Sequence, residues 1–261
     1  MKMTGKTAAG CEITDLETWK KYAPPAQREI HWQEYRSAKE LANAWCRKSK
    51  VCSPKEFTDL LSKRADTQSF KIEQAVAEMQ IKFDQFPGGR RNADLALWGQ
   101  SKKKKIAITV EAKADESYGN TIGKMVAGAK KKKKSNIEER ISQLSRGIIG
   151  RDVDDSINPL RYQLFHALAA TAVLAKEINA RLGILVIHEF VSLNIDFDKL
   201  VENSNDLKLF VQAIPGWENK SLKTGRLLTP IRLTGSDYIP KDVWVSIGKI
   251  RTLVPLNRNE N

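Results

Sequence analysis

Residues 91–119 read RNADLALWGQSKKKKIAITVEAKADESYG, and this stretch decides the fold. RNADLALWG and IAITVEAKADESYG have the pattern of two strands, with a lysine-rich turn between them. Alternate side chains of a strand share a face, so Glu111 and Lys113 point one way and Ala112 the other. A hairpin turning at Lys102 and Lys103 sets Asp94 opposite Glu111, with Cβ atoms roughly 4.5–5.5 Å apart. The same register puts Ala96, Thr109 and Lys113 on the carboxylate face. Leu95, Leu97, Ile108 and Val110 then form the core-facing side.

Two carboxylates held that close repel unless a cation lies between them, and hard oxygen donors favour Mg²⁺ or Mn²⁺ over zinc. Lys113 on the same face is suited to positioning or deprotonating a water, or to stabilising charge on a phosphate. Together these are the parts of phosphodiester hydrolysis. The alternative is a chance ExK triplet in which Asp94 and Lys113 only mark strand ends.

With Asp94 and the triplet Glu111-Ala112-Lys113, the chain resembles the PD-(D/E)xK superfamily, whose fold is restriction-endonuclease-like. Ala93 stands where the motif's proline would be, a position often substituted in that superfamily. More narrowly, FDQFPGGRRNADLALWG followed by VEAKADESYG is similar to an uncharacterised bacterial group of predicted nucleases. The closer likeness covers residues 83–119, the wider one about residues 70–190. The resemblance implies an α/β fold with a mixed central sheet flanked by helices, and Mg²⁺ or Mn²⁺ held by Asp94 and Glu111. It also implies DNA as the substrate, with a role in restriction, phage defence or repair. An extra metal-ligating acid on a helix before the first motif strand is implied as well, and Glu73 is the choice for it. On the helix after the triplet, Tyr162 and Gln163 are implied as contacts to DNA or to the site.

The formal charge of +13 favours a polyanionic partner. Arg90 and Arg91, just before Asp94, are candidates to hold a nucleic-acid strand. Lys102–Lys105 and Lys130, Lys131, Lys132, Lys133 and Lys134 cannot be buried at acceptable cost. Both runs are expected at the surface, where each phosphate contact would release counterions; a purely solubilising role is the alternative. No apolar run approaches a membrane span, and MKMTGKTAAGCEITD lacks the apolar core of a signal peptide. Cys11, Cys46 and Cys52 make neither an even set nor a CxxC pair, so a reduced cytoplasm is expected. Walker A, GxGxxG, GxSxG and zinc-ligand spacings are absent.

Along the chain, residues 1–65 are expected as a helical extension and 66–261 as the main domain. Ser53-Pro54 starts a helix in the first part, with Ser53 as N-cap and Pro54 at the first helical position. Trp32 and Trp45 are expected in the core rather than as base-stacking platforms. The apolar spacing of Phe70, Ile72, Val76, Met79, Ile81 and Phe83 predicts a helix over 67–83. Ile137, Ile141, Leu144 and Ile148 predict another, ended by Gly150. An alanine-faced helix from Pro159 to Arg181 followed by GILVIHEFVS completes a strand, helix, strand unit. His166 and His188 are expected to pack rather than ligate. A helix near 207–214 and strands in 226–233 and 243–254 finish the chain. The reading is thus a metal-dependent deoxyribonuclease acting alone, as a homodimer or with a partner of a defence system. Its competitor is a noncatalytic nucleic-acid-binding protein or adaptor subunit on the same fold.

Overall fold

The computed structural model describes residues 1–5, 11–25, 28–47, 50–86, 91–131, 135–193 and 196–256. In chain order these form β1 (Lys2–Gly5), α1 (Leu16–Tyr22), α2 (Arg28–His31), α3 (Ser37–Trp45), β2 (Cys46–Arg47), β3 (Lys50–Val51) and α4 (Lys55–Ser62). The motif strands β4 (Lys71–Ile81), β5 (Arg91–Ser101) and β6 (Lys104–Lys113) follow, then α5 (Ile122–Ala129), α6 (Ile137–Ile148), α7 (Tyr162–Glu177) and β7 (Leu182–Val191). The last elements are α8 (Phe197–Ala213), β8 (Arg226–Leu227), β9 (Ile231–Arg232) and β10 (Trp244–Leu253).

Lys102 and Lys103 adopt φ of 47° and 63°, the left-handed pair that a two-residue hairpin turn requires. The expected register follows from that turn. Ala96 pairs with Thr109, Leu97 with Ile108 and Leu95 with Val110, so the next positions outward are Asp94 and Glu111. The sheet is mixed, in the order β1, β4, β5, β6, β7, β10, β8, with β9 also against β10. β4, β5 and β6 are an antiparallel meander, while β7 runs parallel to both β6 and β10.

Each face of the sheet carries its own core. Leu95, Leu97, Ile108 and Val110 pack with Trp45, Phe57 and Leu60 from α3 and α4. Ala96 and Ala107 instead pack with the buried alanines of α7 and with Phe210 and Val211 of α8. The fold is therefore α/β, a mixed central sheet with helices on both faces. α7 lies close to the sheet because its residues are small: a Cβ on Gly183 would come within 3.0 Å of the Thr171 carbonyl oxygen and 3.3 Å of Ala175 Cβ. Thr109 and Thr171 hydroxyls meet at 2.5 Å across this interface.

The segment 67–83, expected as a helix, is instead mostly β4. Its spacing at Ile72, Val76 and Met79 suits a helix, but Ala75 and Ala77 share a strand face, are fully buried and pack with Leu95 and Leu97. Pairing with β5 along its length and with β1 at its edge overrides the local pattern. The helix expected near 207–214 is the end of the longer α8, which starts at Phe197, and β1 and α5 are not foreseen, whereas several other elements follow the sequence. Gly150 ends α6 with φ of 83° and β7 is buried and parallel to β6, while α4 starts one residue later than expected, with Pro54 rather than Ser53 as its N-cap. Trp45 is fully buried and Trp32 partly so. Residues 1–65 supply α1, α3 and α4, which contribute to the core on the Leu95 and Leu97 face of the sheet, the short α2 beside α3, and β1, which pairs with β4. No helix of the described residues is long and apolar enough to cross a membrane. The tail from residue 257 lies outside the described residues.

Candidate active site

β6 carries the site because its exit end is where the meander gives way to parallel neighbours. The Asp94 carboxylate accepts the Ala112 backbone N–H at 2.7 Å, which fixes it beside the Glu111–Ala112 peptide. Glu111 is 1% exposed and Lys113 6%. Lys113 Nζ lies 2.9 Å from Glu111 Oε1, and Gln163 Nε2 donates to the same oxygen at 2.6 Å. Gln163 stands in the first turn of α7, so that helix contributes a side-chain donor to the carboxylate. Asp94, Glu111, Lys113 and Gln163 are thus brought together from three elements.

Around them lie groups that local sequence pattern does not single out. Tyr118 is fully buried, with its ring centroid 5.3 Å from Lys113 Nζ. Burial, and then the charges of Glu189 and Asp206, push its phenol well above the usual range, so it stays neutral. Glu189 pairs in register with Lys113 one strand away and is held by Lys249 at 2.7 Å and Arg251 at 2.8 Å. The loop after β6 is pinned from both sides. Ser37 of α3 donates to Glu116 through its backbone N–H and its hydroxyl, and Asn203 of α8 donates to the Glu116 carbonyl. Arg36 pairs with Asp115 at 3.1 Å. A glutamate following His188 at the end of the apolar run GILVI is the one sequence signal for Glu189.

Glu73 is not part of this group. It sits exposed on β4 at an irregularity between Ile72 and Gln74, about five residues, or roughly 16 Å, from the level of Asp94. The residue at that level is Glu78, bracketed by the pairs Ala77 with Leu95 and Met79 with Ala93. Glu78 has φ of 55° and accepts from Asn92 Nδ2 at 3.0 Å. Such a conformation in a non-glycine residue costs energy and concentrates at functional sites.

Arg161, at the head of α7, pairs with Asp206 at 2.7 Å and with Glu202 rather than reaching Glu111. Tyr162 stacks edge-on against His166 with centroids 3.8 Å apart. His166 also packs on Phe83, and His188 bonds Thr252 at 2.9 Å in the interior, so both histidines pack as expected. Lys130 and Lys131 are exposed at the end of α5. Lys132, Lys133, Lys134 and Arg90 lie outside the described residues, as does the side chain of Arg91, whose backbone opens β5.

The donors at the site are carboxylate oxygens, which suit a hard divalent cation. The buried Glu111–Lys113 pair is neutral as a unit, and Asp94 brings a second carboxylate beside it, a pairing that a hard divalent cation is suited to bridge. Among the described residues no cluster of three or more His, Cys, Asp or Glu side chains has metal-holding geometry; Asp94 and Glu111 are the candidate ligands by their place beside each other at the end of the β5–β6 pairing. No curated protein and no solved structure matches the chain. A family model described as Domain of unknown function (DUF6946) matches residues 12–250, and the chain belongs to that family.

Proposed function

We propose that this protein is a metal-dependent nuclease of restriction-endonuclease-like fold that hydrolyses phosphodiester bonds in DNA. The observation that carries the reading is the convergence of Asp94, Glu111, Lys113 and Gln163 at the exit end of β6. In open α/β sheets, ligand sites lie outside the carboxyl ends of the strands. The PD-(D/E)xK resemblance of Asp94 and Glu111-Ala112-Lys113 supports the reaction class, and the choice of DNA over RNA rests on that resemblance.

Asp94 and Glu111 would hold Mg²⁺ or Mn²⁺. When bound, the ion polarises a phosphoryl oxygen and acidifies a coordinated water. Glu111 sets the position of Lys113 through their ion pair, and Gln163 fixes the rotamer of Glu111. Lys113 brings a positive charge to the scissile phosphate, and Tyr118 limits where its ammonium group can go. The net charge of +13 gathers the backbone, and Lys130 and Lys131 are the described lysines of the run assigned to it.

The burial of the Glu111–Lys113 pair also suits a noncatalytic binding module, in which the pair is structural. Measuring binding and cleavage separately distinguishes the two. Glu111→Gln should retain affinity for a short duplex within about two-fold while cleavage falls by on the order of 10²-fold or more. Equal cleavage by wild type and variant would remove Glu111 from the chemistry.

A further inference from the structure

At the other end of the sheet, the entry ends of β6, β7 and β10 border a cavity of about 380 Å³. Register sets its floor: Ile106 pairs with Leu182, and Leu182 with Trp244. In-register residues of neighbouring strands share a face, so three apolar side chains stand in a row across the sheet. Ile106 and Leu182 are buried, whereas Trp244 keeps 42% of its surface exposed. Pro230 closes one side, Lys104 and Arg181 stand at the rim, and Lys105, which alternates to the other face from Ile106, borders the cavity as well.

Asp66 is the acid among the lining residues, and Arg64 already matches its charge. The guanidinium bonds the carboxylate through Nε at 2.9 Å and Nη2 at 2.5 Å. Arg64 is itself anchored to the Leu228 carbonyl and the Ser246 hydroxyl. Arg232 stacks on the Trp244 ring at 5.0 Å from its centroid, adding a further cation beside the opening. The floor is therefore apolar and aromatic, and the rim carries excess positive charge.

We propose that this cavity binds a nucleoside phosphate, with the base against Trp244 and the phosphate at Lys104 and Arg181. A base offers a π-face to an aromatic side chain whatever its identity, and a phosphate is the anion that lysine and arginine hold best together. An anion without a ring would use the rim alone, and an apolar ligand would use the floor alone. The volume lies within the roughly 300–1,000 Å³ range of small-ligand sites. The site is separate from the carboxylates. Ile106 is seven residues from Lys113, about 23 Å along the strand, and faces the opposite side of the sheet. A free mononucleotide and the phosphorylated end of a nucleic-acid strand share this chemistry.

Calorimetry on the full chain in EDTA tests the assignment with AMP, adenosine, inorganic phosphate, and a tetranucleotide with or without a 5′-phosphate. AMP should bind at least about ten-fold more tightly than either adenosine or phosphate. Trp244→Ala should weaken AMP about ten-fold, and Trp244→Phe should stay within about three-fold of wild type. Lys104→Gln with Arg181→Gln should lower AMP affinity toward that of adenosine and leave adenosine unchanged. A 5′-phosphate effect that depends on Trp244 would identify strand ends as the source, and its absence would identify free nucleotide. Binding of AMP no tighter than phosphate, insensitivity to Trp244→Ala, or no AMP binding at millimolar concentration would each overturn the proposal.

Discussion

Glu111 and Lys113 show what a single pair of residues commits the chain to. Alternation within one strand already puts both on one face, and the turn at Lys102 and Lys103 puts Asp94 beside them. What the alternation does not convey is burial. Nothing in VEAKADESYG says that α3 and α8 grip the loop after Lys113 or that Tyr118 lies under its ammonium group, because those partners come from distant parts of the chain. Burial has an energetic consequence. Lys113→Met removes the ammonium that lies 2.9 Å from the buried Glu111 carboxylate, and breaking a buried pair by losing one partner typically costs about 3–5 kcal/mol, whereas removing both charges costs far less. Urea unfolding should therefore find Lys113→Met much less stable than wild type, and Glu111→Gln combined with Lys113→Met should recover most of the stability. Equal stability of the single variant and wild type would mean that the pair is solvated. Gln163 belongs to the same scale. Gln163→Ala should lower cleavage about ten-fold with little change in affinity, as expected of a group that only fixes Glu111.

The elements are legible where local pattern and tertiary demand agree. β5, β6, α6, α7 and β7 can be read from alternation, from the Ile137, Ile141, Leu144 and Ile148 spacing, and from the alanine face. β4 cannot, since its larger apolar residues recur at helical spacing while the strand face is built from Ala75 and Ala77. The choice of Glu73 depends on taking that spacing for a helix, and the acid level with Asp94 is Glu78. The hairpin between β5 and β6 gives a direct test of turn chemistry. Two lysines in the left-handed region carry a steric cost that Asn-Gly avoids. Lys102→Asn with Lys103→Gly should stabilise the protein by on the order of 1 kcal/mol, read as a higher melting temperature. An unchanged or lower melting temperature would contradict the turn assignment.

At the scale of the whole molecule, the buried interior makes the fold sensitive to acid. Burial, with a smaller contribution from the Arg47 charge, lowers His188 to about 3, against about 6.5 in the unfolded chain. Only the unfolded state binds this proton between those values, so the stability His188 contributes is complete above about pH 6.5 and falls as pH drops toward 3. Going from pH 7 to pH 5 should cost about 2 kcal/mol through this residue. His188→Gln should flatten that part of the pH profile in urea unfolding. The charge of +13 acts globally too: Lys130→Gln with Lys131→Gln should reduce the salt slope of duplex binding by up to about 0.9 for each phosphate that the variant no longer neutralises. The most direct measurement is cleavage of supercoiled, linear and single-stranded DNA and of RNA by protein free of contaminating nuclease, in Mg²⁺, Mn²⁺ or EDTA, beside Glu111→Gln. DNA hydrolysis in Mg²⁺ or Mn²⁺ that disappears in EDTA and in the variant is the predicted result; cleavage that persists in EDTA or in Glu111→Gln, or no cleavage of any substrate under any condition, would contradict it.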